Sequence, residues 1–98
     1  MKLYLVVLRS MSAGLKAAQA CHALHAFTSA YPEVVRIWEQ ENNIVVLDDR
    51  DPETTVGDLE RRGFAVARFH EPDLDNVLTA FCAEPAAGRW LSSLPLAR

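Results

Sequence analysis

An almost unbroken apolar run opens the chain, and a long alanine-rich segment follows it. The run at residues 2–8 does not alternate with polar positions, which is typical of a strand buried on both faces of a sheet. Ser12 is suited to cap a helix over 13–30, which seven alanines favour. Pro32 ends that helix in the prediction and opens a second, short helix over 33–41.

The rest of the chain alternates between apolar runs and polar breaks, and each break contains turn or capping residues. The other predicted elements are strands over 44–47, 64–69 and 77–83, a helix that follows Asp51 and stops at Gly63, and a short final helix over 86–94. Strands that alternate with helices predict parallel pairing, while the short last connection permits antiparallel pairing. We therefore predict a single α/β domain over 1–98, in the order β-α-α-β-α-β-β(-α). Helices would cover both faces of a four-stranded mixed sheet in three α/β/α layers.

Three polar residues stand three positions apart on the long predicted helix: Lys16, Gln19 and His22. At about 100° per residue they form a slanted stripe that offers one small ligand a cation, an amide and an imidazole. The alternative is that Lys16 is solvated and His22 packs under a loop, and spacing alone favours it.

An acidic loop after the third strand supplies a second candidate site. Glu71, Asp73 and Asp75 could provide a base, orient a water or hold a metal, although acidic turns with Pro and Asn are common in loops. We expect this loop, at 70–76, and the loop at 9–14 to lie at the same edge of the sheet. His22 and His25 beside Cys21 have no further zinc-ligand motif, so no metal or other cofactor is predicted.

The net charge of −3 hides a gradient along the chain. Residues 1–32 hold three basic and no acidic residues, whereas residues 33–60 hold nine acidic and two basic ones. Because phosphate binding depends on the local field, the total charge does not exclude a nucleic-acid partner. No apolar run approaches the roughly 18–20 residues of a membrane span. With no signal-peptide pattern and only two cysteines, the expected location is cytoplasmic.

A larger pattern links the first strand to the polar stripe. The strand ends in Val-Val-Leu-Arg, a Ser-Met-Ser-Ala-Gly-Leu loop follows, and the helix continues as Lys16-Ala-Ala-Gln19-Ala-Cys-His22-Ala. This block resembles the N-terminal signature of the class II peptidyl-tRNA hydrolases. The likeness continues at the Ile44–Leu47 strand and at Thr79 to Pro85. The chain departs from the family in a shorter loop before the fourth strand, in Glu71 where the family has aspartate, and in a glycine one residue earlier.

The resemblance implies a metal-free hydrolase that cleaves the ester between a peptide and the 3′ ribose of tRNA. Its catalytic residues would be Lys16, His22 and Glu71, with Asp73 as the alternative to Glu71. The residues that would contact the substrate or tRNA are Arg9, Gln19, Arg68 and Thr79. In this hypothesis His22 takes a proton from water and Lys16 stabilises the oxyanion or holds the terminal phosphate.

Two other functions remain open at this point. The chain could be a non-catalytic tRNA- or acyl-ester-binding module that kept the fold, which the short 70–76 loop favours. It could also be an accessory domain whose acidic 33–60 segment docks a basic partner. We also expect Trp38 and Trp90 to be exposed, which would make a homodimer plausible.

Overall fold

The predicted strands and helices form a four-stranded sheet between helical layers in the computed structural model, which describes residues 1–98. The strands are β1 (Lys2–Leu8), β2 (Asn43–Asp49), β3 (Val66–Glu71) and β4 (Val77–Ala83), and the helices are α1 (Ala13–Ala30), α2 (Pro32–Trp38) and α3 (Pro52–Arg61). Short 3₁₀ helices occupy Pro72–Leu74 and Pro85–Leu91. The predicted α/β fold class is confirmed.

Local sequence explains how the helices begin. Ser12 caps α1, since its side chain accepts a hydrogen bond from the backbone of Leu15. Asp51 caps α3 in the same way, accepting from the backbone N–H of Thr54, and Pro52 occupies the first helical position. The predicted final helix over 86–94 is instead the 3₁₀ segment that ends at Leu91.

The strand order is β2-β1-β4-β3. Strand β1 pairs in parallel with β2 and antiparallel with β4, and β4 pairs antiparallel with β3, so the sheet is mixed as predicted. It follows that β1, β2 and β3 all end at the same edge, which we call the carboxyl edge. The loop after β1 and the turn after β3 both lie there, as the sequence predicts.

The two faces of the sheet carry separate apolar clusters. We call them the α1 face and the α3 face, after the helix that packs on each. Alternation along β1 explains the division, because Leu3, Leu5 and Val7 face α1 whereas Val6 faces α3. Alanines in α1, among them Ala20 and Ala23, bring that helix close to the strands.

The open side of β2 is covered by the last residues of the chain. Pro95 accepts from the backbone N–H of Asp48, and the backbone of Ala97 donates to Val46, so this segment runs as a short antiparallel edge strand. Covering an exposed edge in this way satisfies backbone groups that would otherwise be free to pair with another chain.

The two tryptophans differ in their surroundings. Trp38 is buried, and its indole N–H donates to the backbone carbonyl of Asn43 at 2.6 Å. The expectation that Trp38 is exposed is therefore wrong, because the turn after α2 folds it under β2. Trp90 is 36% exposed.

Candidate active site

A buried amide lies at the centre of the polar groups on the α1 face. Gln19 is 1% exposed, and its side-chain oxygen accepts from the Thr79 hydroxyl at 2.6 Å. Its amide nitrogen donates to Oε1 of Glu71 at 3.3 Å. We call these three residues the Gln19 network. Because the Glu71 carboxylate can only accept, the amide NH₂ is directed at it, and the Gln19 oxygen is left to accept from the Thr79 hydroxyl.

An irregularity in β4 brings Thr79 into this network. The register of β3 and β4 passes from the pair Phe69–Ala80 directly to the pair His70–Leu78, so Thr79 has no partner across the strand. A bulge of this kind re-aims a side chain. As a result Thr79 and Ala80, although adjacent, both face α1.

His22 lies one turn beyond Gln19 on α1 and is exposed. Its ring stacks on that of Phe69, with centroids 4.6 Å apart and planes 17° from parallel. Phe69 and Glu71 are two positions apart on β3, about 7 Å along one face of the strand. His22 makes no hydrogen bond to Glu71 or Asp73; its ring contact is with Phe69, and the Glu71 carboxylate is bound by Gln19.

Lys16 is neither solvated nor beside the Gln19 network. It is 7% exposed, and its ammonium lies 2.9 Å from Oδ1 of Asp48 on β2. The ammonium also donates to the backbone carbonyl of Arg98 at 3.2 Å. Asp48 is itself 5% exposed, so the two charges compensate each other in the interior. This corrects the prediction that Lys16 offers an open cation to the ligand that Gln19 and His22 share.

Two further predicted residues lie apart from the network. Asp73 is exposed on the 3₁₀ turn after β3, and no side chain binds its carboxylate. Arg68 lies on the α3 face, where its guanidinium contacts Glu60 at 2.6 Å and Glu53 at 3.3 Å. Hydrogen bonding by Arg68 holds the pKa of the Glu60 carboxyl below its ordinary range. Arg68 therefore lies on the opposite face of the sheet from Gln19 and Thr79, the residues with which it was predicted to contact the substrate or tRNA.

Arg9 lies at the carboxyl edge, directly after β1. Its backbone N–H donates to the carbonyl of Asp49 at 2.9 Å, and its side chain has no carboxylate partner. Together with Arg50 it lines a shallow cavity of about 380 Å³. No sequence pattern singles out Arg50, because it stands inside the acidic 33–60 segment.

Sequence reasoning also missed Asp48 and Phe69. Only the alternation along β2 indicates where the Asp48 side chain lies. Asp48 is the register partner of Val7, and because Val7 faces α1, Asp48 faces α1 as well. Stacking of Phe69 on His22 had no signal at all in the sequence. Nowhere do three or more His, Cys, Asp or Glu side chains converge as metal ligands.

The arrangement presents a carboxylate and an imidazole on the same face of the sheet. Glu71 is half-buried and kept in place by Gln19, and it has further acceptor capacity. His22 presents its ring from an exposed, stacked position. Acid–base chemistry on a polar bond needs such a pair within reach of one water.

The chain matches no protein-family model and no curated protein. None of its helices is long and apolar enough to cross a membrane.

Proposed function

We propose that the protein hydrolyses the ester between a peptide and the 3′ ribose of tRNA, with Glu71 and His22 acting on the attacking water. The observation that carries the proposal is the Gln19 network, which fixes a carboxylate beside an exposed histidine. The likeness of residues 6–23 to the class II peptidyl-tRNA hydrolases supplies the substrate class.

In the proposed reaction Glu71 accepts a hydrogen bond from the water, and His22 takes its proton. The water oxygen adds to the ester carbonyl carbon, and the bond from that carbon to the ribose oxygen then breaks. His22 returns the proton to the ribose oxygen, which leaves a free 3′ hydroxyl and a peptide carboxylic acid that then loses its remaining proton to solvent. Gln19 and Thr79 are positioning residues here, because both are buried and act through Glu71.

The structure suggests a different role for Lys16 from oxyanion stabilisation. Its charge is already compensated by Asp48, so in this proposal it fixes α1 to β2 and sets the height of Gln19 and His22 over the sheet. A Lys16→Met variant would then lose activity mainly in proportion to its loss of stability.

The test is peptide release from peptidyl-tRNA by wild-type protein and by His22→Asn. We expect His22→Asn to lower kcat by about 10²–10⁴, the usual contribution of a general acid–base group. His25→Asn is the matched control, because His25 is equally exposed on α1 and contacts none of the network residues. Equal loss in both variants, or release unaffected by either, would place the chemistry elsewhere.

A second candidate function is tRNA binding without hydrolysis. It is favoured by the burial of Lys16 and Gln19, whose polar groups are already satisfied within the protein. Retained tRNA binding with no peptide release above the buffer rate would select it.

The proposed substrate also bears on the location of the protein, because peptidyl-tRNA as substrate would place it in the cytoplasm. A homodimer would have only Trp90 as an exposed tryptophan to bury, and gel filtration of wild type beside Trp90→Ala tests for it.

A further inference from the structure

The sheet has a topological switch point between β1 and β2. These neighbouring parallel strands are followed by helices that pack on opposite faces, α1 after β1 and α3 after β2. In open α/β sheets the crevice outside the carboxyl ends of two such strands is the usual place for a ligand. The side chains that border this crevice therefore indicate what it binds.

Two arginines border it, at equivalent positions of the two strands. Leu8 and Asp49 are register partners at the strand ends, so Arg9 and Arg50 are the next residues on either side. The hydrogen bond from the Arg9 backbone to Asp49 holds the two segments together at this point. Neither guanidinium has an ion-pair partner, whereas Arg36, Arg61, Arg62 and Arg68 all do.

The two carboxylates nearest to the crevice along the chain, those of Asp49 and Asp51, are occupied by hydrogen bonds from the start of α3. Asp49 accepts from the backbone of Asp51 and from the Thr55 hydroxyl. Asp51 is bound by the hydroxyl and backbone of Thr54, and that hydroxyl lowers the pKa of its carboxyl. The cavity beside the two arginines is lined only by Leu8, Arg9, Ser10 and Arg50, with no acidic residue.

We infer that Arg9 and Arg50 form a phosphate-binding site that takes a phosphodiester of the RNA end, an inference that rests on the proposed function. Two guanidiniums beside a serine hydroxyl offer the planar, charge-assisted donors that phosphate oxygens accept. Along the same edge, Arg9 after β1 lies two strand spacings, roughly 10 Å, from β3 and the Gln19 network, and Arg50 after β2 lies three spacings, roughly 14 Å, away.

A second cavity explains why the ligand is a nucleotide phosphate rather than free phosphate. This cavity, of about 440 Å³, shares Leu8 and Arg50 with the first and extends between the start of α3 and the turn before β4. Its lining includes the acidic residues Asp51, Glu53 and Asp75 together with His70, and of the three carboxylates only that of Asp75 has no side-chain partner. Carboxylates accept from hydroxyl groups, so a ribose attached to the bound phosphate finds partners there.

The experiment measures binding of an RNA hairpin with an unpaired CCA end by fluorescence anisotropy over a range of salt concentrations. We expect Arg50→Gln and Arg9→Gln each to weaken binding about tenfold and to lower the slope of log affinity against log salt by about 1. The matched control is Arg36→Gln, which removes an exposed arginine of α2 and should leave both quantities unchanged.

Peptide release by the same variants separates this inference from the proposed function. We expect KM to rise with kcat unchanged, because the two arginines hold RNA without touching the ester. RNA binding and release that are both insensitive to Arg9→Gln and Arg50→Gln would overturn the inference and leave the function standing. Binding that depends on both arginines without any release would keep the inference and reject the hydrolase.

Backbone amide shifts on titration with inorganic phosphate give a readout without RNA. We expect shifts at Ser10 and Arg50 in the wild type that are absent from the Arg9→Gln, Arg50→Gln double variant. RNA should shift those amides and those of Asp75 and Asn76 as well, whereas phosphate alone should not. No shift at Ser10 or Arg50 with either probe would overturn the inference.

Discussion

Charged side chains are partnered differently on the two faces of the sheet. On the α1 face a lysine and an aspartate are buried together, and an amide beneath the helix joins a threonine to a glutamate. On the α3 face the one buried charged side chain, Asp49, is bound by a hydroxyl and a backbone N–H rather than by a counter-charge, and the ion pairs of Arg68 lie at the surface. Buried polar groups require exact partners, whereas exposed ones can exchange theirs for water. The α1 face is therefore the one whose geometry is fixed by polar contacts, and it carries the candidate site.

The largest difference between the faces should appear when a buried charge loses its partner. Asp48→Ala leaves the Lys16 ammonium in the interior without a counter-charge. We expect the free energy of unfolding to fall by about 3–5 kcal/mol. Glu60→Ala removes the closest partner of Arg68 on the α3 face and should cost no more than about 1 kcal/mol. Urea denaturation of both variants measures the two losses.

A double variant tells whether the cost comes from the unpaired charge. Lys16→Met combined with Asp48→Leu removes both charges, and we expect most of the lost stability to return. If Asp48→Ala and Glu60→Ala lower the free energy of unfolding by the same amount, the two faces do not differ in the way that a buried ion pair differs from an exposed one.

The next effect concerns the hydroxyl that fixes the Gln19 amide. Thr79→Val keeps the side-chain shape but leaves Oε1 of Gln19 buried without a donor, which should cost about 1–3 kcal/mol. Thr28→Val is the matched control, because the Thr28 hydroxyl bonds only to the carbonyl of His25 on the exposed side of α1. Its expected cost is within about 0.5 kcal/mol.

Thr79→Val also tests the link from stability to activity. If Gln19 holds Glu71 through Thr79, peptide release should fall in this variant even at temperatures where it is fully folded. Full activity in a folded Thr79→Val protein would show that Glu71 does not depend on the network.

The first half of the fold could be predicted from local pattern. Strand 2–8 and helix 13–30 have the predicted bounds, because an apolar run and a capped alanine-rich segment each specify one element. Strand 77–83 also has its predicted bounds, whereas β2 is longer than predicted and β3 is shifted by two residues, and both run on into polar residues at the carboxyl edge. Asp48 and Asp49 belong to β2, and Glu71 belongs to β3, because pairing with a neighbouring strand holds them there.

The sequence predicted several of the residues of the candidate site but not how they are arranged. Gln19, Glu71 and Thr79 come together, although they are 52 and 60 residues apart along the chain. Lys16 departs from them because its partner is Asp48, and no pattern within the helix reveals a contact with a distant strand. The bulge at Thr79 is equally invisible, since strict alternation would turn its side chain toward α3.

The smallest expected effect is a pH dependence of stability that comes from the Arg68–Glu60 pair on the α3 face. Arg68 hydrogen-bonds the ionised Glu60 carboxylate and lowers its pKa below the ordinary value of 4.5. A carboxyl group whose pKa is lowered on folding stabilises the protein above its unfolded pKa and loses that contribution as pH falls through the folded value. We expect Glu60→Gln to be less stable than wild type at pH 7 by less than about 1 kcal/mol, since the pair is exposed.

The difference should shrink as the pH is lowered from 5 to about 3, because wild type then protonates Glu60 and loses the same interaction. Glu39→Gln provides the control, since Glu39 is exposed and has no ion-pair partner. The difference in stability between this variant and wild type should be the same at every pH. Urea midpoints at several pH values measure both. A Glu60→Gln difference that stays constant down to pH 3 would mean that Arg68 does not hold this carboxylate.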